Sequence, residues 1–379
     1  MNGYYIYSIL DKEALTGVTR KINMQTAQFQ KVLPFAQINI NTGAFSGLQK
    51  VLRLFPTAKY SDYEKALPDL DDPGVLYFRR SHIDKGLVVF LKKLKAEHSG
   101  CLVIMEMPVF PYFKDAYCHN LRHFIRNSPL WIKDCIYRKK LKGLVDYIAT
   151  FSDDKEILGI PALHIFNGID VDSVVPRTPR EPDGALHITS VAVMAVHHGF
   201  ERLIQGIADY YAGGGKRDIL YRVVGFGNEE PRYRALVSEL GLEERVIFCG
   251  KKTGAELDEI YNDTDIAVTS LGMYKIGIKV GSFIKTGEYL AKGIPMLTGC
   301  TVDVLDHSDF DYFIEFPSDE TPIDIQKVLE FYDEISSRGS ETMINEIRAY
   351  AYKKVDGSVA MKSVTDVMRE WVDAHGDRA

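Results

Sequence analysis

Short apolar runs of strand length alternate with stretches of helical periodicity along most of this chain, and that alternation narrows the possible folds more than any other feature. In the first half Tyr4 to Leu10, Ala36 to Ile40, Val75 to Arg79, Leu102 to Met105, Tyr147 to Phe151 and Leu163 to Phe166 read as strands. A helix is predicted from about Val18 through Val32, and Lys85 to His98 sets Leu87, Phe90, Leu91 and Leu94 on one helical face. The second half repeats the pattern, with strands at His187–Val193, Tyr221–Val224, Arg245–Phe248, Asp265–Val268 and Met296–Cys300. Helices are predicted at 232–240, 256–261, 323–336, 340–355 and 358–374. Apolar strands each followed by a helix make a parallel sheet covered on both faces, hence an α/β fold. A chain of 379 residues exceeds what one core supports, so two domains are expected.

The net charge of −6 argues against general nucleic-acid binding. Cysteines at 101, 118, 135, 249 and 300 are odd in number and lack metal-type spacing, which fits a reducing, cytoplasmic setting without disulfides or structural zinc. Met1 to Leu10 has no basic flank of the signal-peptide kind, and no apolar run reaches bilayer-spanning length.

Ser270 to Pro295 carries the strongest chemical signal. It follows the strand 265–268, holds glycines at 272, 277 and 281, and passes into a helix pattern from Ser282 that Gly293 and Pro295 close. A glycine loop entering a helix N-terminus presents free N–H groups and the positive end of the helix dipole, both suited to phosphate. Gly281 and Ser282 stand at that entrance, Lys285 adds a full charge on the first turn, and Glu288 lies where it can accept hydroxyls of the same ligand. Phosphate plus hydroxyls describes a nucleotide sugar. The competing reading is an ordinary strand-loop-helix unit with a solvated Lys285–Glu288 pair.

Glu288, Ala291, Gly293 and Pro295 spell E-x-x-A-x-G-x-P, and in this the segment resembles the signature region of family 4 (group 1) retaining glycosyltransferases of the bacterial polysaccharide type. The resemblance implies a GT-B architecture, two Rossmann-like domains facing across a cleft. It would divide the chain into an acceptor-side domain 1–170, a nucleotide-sugar domain 171–357 and a helix 358–379 that packs back on the first domain. It also implies transfer from a nucleotide-diphosphate donor, UDP-sugar by expectation, to a glycan or lipid-linked acceptor with retention, and needs no metal or other cofactor. Glu288 would hold the ribose. His198-Gly199-Phe200-Glu201-Arg202 matches a bacterial subgroup in which the usual Arg and Lys of the diphosphate grip are here Ala192 and His198. Charge would then come from His198, Arg202, Lys275, Lys279 or Lys285, with Lys285, Glu288 and Arg202 as the catalytic set. The usual sugar-contacting glutamate is replaced by Val280, so that Glu229, Asp303 or another acid substitutes, or the donor sugar is held differently, or activity is weak. A nucleotide-sugar epimerase of the same architecture and a non-catalytic glycosyltransferase-like partner are the alternative classes.

Further candidates follow from position. Gly17 and Arg20 sit where the first strand turns into the first helix, and Arg20 and Lys21 oppose that helix dipole unless an anion offsets them. Gly225 and Gly227 in V-G-F-G-N-E would admit a base or ribose close to the backbone, and Lys251 follows the next strand. Arg80, Ser81, His82 and the loop Glu106 to Tyr112 lie at carboxyl ends of strands, where α/β sheets bind ligands, so Glu106 and Tyr112 are acceptor-site candidates. Pro129 to Leu144, with Trp131, Arg138, Lys139 and Lys140, reads either as a solvated helix face or as a peripheral contact with the inner face of an anionic membrane. Asn167-Gly168 marks the domain exit, and Pro176 to Gly184 reads as a polar linker.

Overall fold

The computed structural model describes residues 1–8, 17–40, 47–79, 82–118 and 121–376. They fall into two compact units, Met1–Phe166 with Ala360–Ala379, and Asn167–Val359.

In the first unit the chain runs β1 (Asn2–Tyr7), α1 (Gly17–Gln30), β2 (Phe35–Asn39), α2 (Gly47–Leu54), β3 (Pro73–Arg79), α3 (Lys85–Glu97) and β4 (Leu102–Glu106). It continues with α4 (Phe113–Tyr117), α5 (Leu121–Tyr137), β5 (Tyr147–Thr150), β6 (Glu156–Ile157) and β7 (Ile160–His164). Among the described residues these strands form a seven-stranded sheet ordered β2-β1-β3-β4-β5-β7-β6. All its pairings are parallel except β6 with β7. Alternate side chains feed two cores: Tyr4 and Ile6 join Leu76, Phe78, Val103 and Met105 on one face, while Tyr5 and Tyr7 join Val75, Tyr77, Leu102 and Ile104 on the other. Both faces being covered explains why the strands read as unbroken apolar runs. The start of α3 is fixed by Asp84, whose buried carboxylate accepts from Leu87 N at 3.1 Å as an N-cap and from the Tyr60 and Ser61 amides.

Two elements differ from the sequence reading. The helix expected from Pro129 to Leu144 begins at Leu121 and ends at Tyr137, with Pro129 inside it. A proline within a helix forgoes one backbone bond, but Leu130, Lys133, Asp134 and Tyr137 are all buried just beyond it, and that packing carries the helix through. The strand expected at Leu163–Phe166 starts earlier, at Ile160, because β6 and β7 form a hairpin turned at Leu158 (φ 56°) and Gly159 (φ 76°).

The second unit contains β8 (Leu186–Val193), α6 (Glu201–Ala212), β9 (Ile219–Phe226), α7 (Glu230–Glu239), β10 (Val246–Gly250), α8 (Ala255–Asn262) and β11 (Ile266–Val268). Then come β12 (Val280–Gly281), α9 (Ile284–Lys292), β13 (Met296–Thr298), β14 (Thr301–Val302), β15 (Phe313–Glu315), α10 (Ile325–Ser336) and α11 (Ser340–Lys354). A parallel sheet of six described strands runs β10-β9-β8-β11-β13-β15, and β12 pairs with β14 separately. Pro176 to Gly184 is not a free linker: Arg177 is buried and donates to the Gly293 carbonyl at 3.2 Å, and Arg180 pairs with Asp265 at 2.8 Å. Its prolines suit a fixed extended path, which the sequence alone could not distinguish from a flexible one.

Beyond α11 come α12 (Gly357–Ala360) and α13 (Lys362–His375). Val364 and Met368 of α13 are buried with Tyr5, Phe29 and Tyr77 in the first unit, and Trp371 donates its indole N–H to the Gly100 carbonyl at 3.1 Å.

Candidate functional site

In the sheet of the second unit the strand order reverses between β8 and β11, and the loops leaving such neighbours diverge to open a crevice at their carboxyl ends. Those two loops are laced together. Leu271 N donates to the His198 carbonyl at 2.8 Å, and Gly272 N and the Ser270 hydroxyl both donate to the His197 carbonyl, at 3.2 and 2.8 Å. The approach requires glycine, since a Cβ on Gly199, at φ 61°, would stand 2.6 Å from Gly272 N.

Lys285, on the first turn of α9, projects to this junction and donates to the Thr269 carbonyl, with its ammonium 5.9 Å from the centre of the Phe200 ring. Burial lowers its pKa to about 7, and Cys300 and Glu288 pull the other way without restoring it. His198 is buried and its pKa falls to about 3, through burial first and then the charge of Lys285 and of His197. His197 is lowered by the same two causes, burial and Lys285. Three basic side chains therefore converge, and the charge of Lys285 opposes the protonation of both histidines. An anion placed among them would relieve that opposition. The start of α9 reinforces the preference, because Phe283 at the N-cap position supplies no side-chain acceptor for the first N–H groups.

Glu288 lies one turn further along α9, half-buried and close enough to act on the charge of Lys285. The helix itself is anchored beneath the site: the Tyr289 hydroxyl accepts from Val191 N at 3.2 Å and faces the Val268 carbonyl at 3.4 Å, tying α9 to the ends of both strands. Gly293 caps the helix at φ 75°, where a Cβ would press to 2.7 Å from Ile344, so the glycine of the motif serves packing as well as the turn.

The predicted residues separate on this geometry. His198, Lys285 and Glu288 come together, and Gly281 and Ser282 lead into α9, the first buried in β12 and the second exposed. Arg202, expected in the catalytic set, has backbone partners instead. It is buried, and its guanidinium donates to the carbonyls of Thr321 (2.7 Å), Leu271 (2.6 Å) and Pro317 (2.9 Å), so its donors hold loops rather than a phosphate. Gly225 and Gly227 are glycines because β8 approaches them: a Cβ would lie 1.9 Å from the Ala192 carbonyl in the first case and 2.2 Å from that of Met194 in the second. Lys251 is exposed on the turn after β10.

In the first unit, Gly17 opens α1 and Arg20 is exposed on its first turn. Arg80 and Ser81 lie outside the described residues. Glu106 is fully buried and bound by Lys21 (2.8 Å) and the hydroxyls of Tyr77 (2.9 Å) and Tyr5 (3.1 Å), with Gln25 at 3.2 Å. Burial alone would raise its pKa, but Lys21 and Arg79 outweigh that and hold it to about 2. The anion that offsets a basic residue at the start of α1 is thus the protein's own carboxylate, and Glu106 has no oxygen left to offer an acceptor. Tyr112 is likewise in the core, its hydroxyl given to Asp134 at 2.8 Å. Position at a strand's carboxyl end says nothing about which way a side chain turns.

Sequence reasoning missed His197, Tyr289 and the Thr269–Ser270 pair. A signal for the first existed in the doubled histidine just after a strand, but backbone carbonyls as partners leave no residue signature. Among the described residues no group of His, Cys, Asp or Glu stands in metal-holding geometry. Among them also, no helix is long and apolar enough to cross a membrane.

Residues 175–298 match the family model described as glycosyl transferases group 1. Over 131 residues the chain is 28% identical to the Escherichia coli (strain K12) protein named as colanic acid biosynthesis glycosyltransferase WcaL, a match covering 35% of this chain and 32% of that one. Anabaena Alr3699/HepE, solved in complex with UDP, superposes with a TM-score of 0.62 at 12% identity, covering 98% of this chain and 100% of that one. Sucrose-phosphate synthase from Thermosynechococcus elongatus gives 0.64 at 13% identity, covering 99% and 100%. The fold is GT-B, built of two Rossmann-like α/β domains, and the second unit is related to the group 1 glycosyltransferases.

Proposed function

We propose, from that fold and that relation, that the protein transfers a sugar from a nucleoside-diphosphate donor, a UDP-sugar, to a hydroxyl of a glycan or lipid-linked acceptor with retention of configuration. The observation that carries this reading is the convergence of Lys285, His197 and His198 on the uncapped start of α9, with Glu288 a turn away. The diphosphate would lie against the α9 N–H groups and the Lys285 ammonium, and Glu288 would accept the ribose hydroxyls. As the glycosidic bond to the leaving phosphate breaks, negative charge grows on the diphosphate. Groups already fixed around that position stabilise it without reorganising, which is where most of the rate would come from. Burial serves Lys285 here, since a desolvated ammonium acts on charge more strongly than a hydrated one.

We infer that Asp303 takes the place of the acid missing at Val280. Val280 is exposed in β12, β12 pairs with β14, and Asp303 follows β14 with its N–H donating to the Gly281 carbonyl at 3.1 Å. We assign to Asp303 the contact with the donor sugar; Glu229 is instead paired with Arg232 at 3.0 Å.

A peripheral contact with an anionic membrane surface is part of the proposal, through α5. Leu121, Ile125, Ile132 and Ile136 are exposed and fall within about 60° of arc on that helix. Arg122, Arg126, Lys139 and Lys140 are exposed beside them. Apolar residues flanked by cations suit an anionic lipid surface.

Calorimetric titration with UDP, followed by donor hydrolysis and transfer assays, tests the central reading. UDP should bind to the wild type, Lys285→Ala should lower turnover by about a hundredfold, and Asp303→Asn should impair turnover more than UDP affinity. Absence of UDP binding would remove the donor assignment, while donor conversion without an acceptor would identify an epimerase.

A further inference from the structure

A concave site lies within the first unit. The loop leaving β4, the start of α4, α5 with the residues just after it, and the β6–β7 turn line an open pocket of about 470 Å³. Phe110, Phe113, Trp131 and Leu158 supply its apolar lining, and Arg138 and Lys139 supply its charged lining.

Two features distinguish this cavity from a packing fault. Its walls are held from behind: Phe113 and Tyr117 meet Trp131 at ring-centre distances of 4.6 and 5.3 Å, Tyr112 is tied to Asp134, and the Arg138 guanidinium lies 5.2 Å from the Trp131 ring. Leu158 is held at φ 56°, in the left-handed region where a hairpin turn of this type ordinarily takes asparagine or glycine. A side chain kept at such a cost marks a place where its own chemistry is used.

The lining also limits the ligand. Its polar side chains are Tyr112, whose hydroxyl is committed to Asp134, and the two cations. No carboxylate, amide or aliphatic hydroxyl lines the cavity among the described residues. A neutral sugar ring buried there would leave several hydroxyls without side-chain acceptors. An apolar body with a single anionic group matches a lining of aromatic side chains with Arg138 and Lys139 among them.

We propose that this pocket binds an amphiphilic anion, with its apolar portion against Phe110, Phe113 and Trp131 and a phosphate-type headgroup at Arg138 and Lys139. The site stands apart from the donor reading, so failure of UDP to bind leaves it untouched. The source can be a monomeric lipid phosphate or the headgroup of a lipid within a bilayer. The test is calorimetric titration of the intact protein with dodecyl phosphate below its critical micelle concentration, against dodecyl maltoside and inorganic phosphate. Dodecyl phosphate should bind at least about tenfold more tightly than either, because only it satisfies both the apolar and the charged lining. Arg138→Gln should weaken it about tenfold, and Lys139→Gln, an exposed position that leaves the fold intact, about threefold. Equal affinity for the maltoside, or indifference to both substitutions, overturns the proposal. Phosphatidylglycerol vesicles separate the sources. If Ile125→Glu abolishes vesicle binding and leaves dodecyl phosphate affinity unchanged, the pocket takes the monomer. Vesicle binding without any monomer binding refutes the pocket and leaves only surface adsorption.

Discussion

Lys285 stands where a cation costs stability. Its pKa of about 7 in the folded protein lies below the ~10.4 of an unfolded chain, so between those values the unfolded state binds more protons and stability rises with pH. Below about 7 both states are protonated and the full cost is present. Lys285→Met should therefore raise the melting temperature by a few degrees at about pH 6, with the gain shrinking as pH climbs, while UDP affinity collapses. In the wild type, UDP affinity should fall as pH rises through about 7. His198, already neutral down to about 3, contributes nothing to that transition, so His198→Asn should leave its midpoint in place. Glu106 has the opposite sign. Held to about 2, it contributes stability that is complete above the ordinary carboxylate range of ~4.3 and is lost as pH falls toward 2. Glu106→Gln strands Lys21 in the core and should cost roughly 3 kcal/mol in urea unfolding, with no specific effect on acceptor use. That Lys285 and Glu288 lie a turn apart was legible because spacing on one helix is local. The burial of Glu106, Tyr112 and Arg202 was not, because burial depends on what lies across the sheet, and a guanidinium looks the same in sequence whether it grips a phosphate or three carbonyls.

At the scale of elements, the parallel strands were legible almost everywhere, since a strand covered on both faces writes itself as an apolar run. Strands of two or three residues, such as β6, β12, β14 and β15, are too short to carry a period. Helix ends were legible where a capping residue fixes them, as Asp84 does for α3, and failed where packing overrides a breaker, as at Pro129. The loops that follow β11 and β15 depend on Arg202, and Arg202→Lys keeps the charge but loses the forked geometry. It should lower the melting temperature while changing UDP affinity less than threefold, and a large loss of affinity at unchanged stability would return Arg202 to the donor site. The stripe on α5 has its own check: the double change Ile125→Glu, Ile132→Glu should reduce cosedimentation with anionic vesicles at least about tenfold, and added salt should reduce it in the wild type.

The whole molecule is threaded so that the chain passes from the first unit to the second near Asn167 and returns near Ala360. The first unit is therefore assembled from two separated pieces of sequence, and the returning segment supplies Met361, Val364 and Met368 to a core whose other buried members all precede residue 167. Met368→Ala should cost about 2–5 kcal/mol in the unfolding of that unit, leaving the second unit's transition in place, and a shift in both would mean that the units unfold together. Synthesis proceeds from the amino end at about 5–20 residues per second, so the order of emergence from the ribosome and the order of completion are reversed. The second unit, continuous from Asn167 to Val359, has all its parts before α13 exists, whereas the face built by Tyr5, Phe29 and Tyr77 must wait through the making of an entire neighbouring domain before its cover arrives. During that interval the earliest residues made carry an open aromatic surface, and nascent chains halted before residue 360 should be held by chaperones through the first domain and not the second.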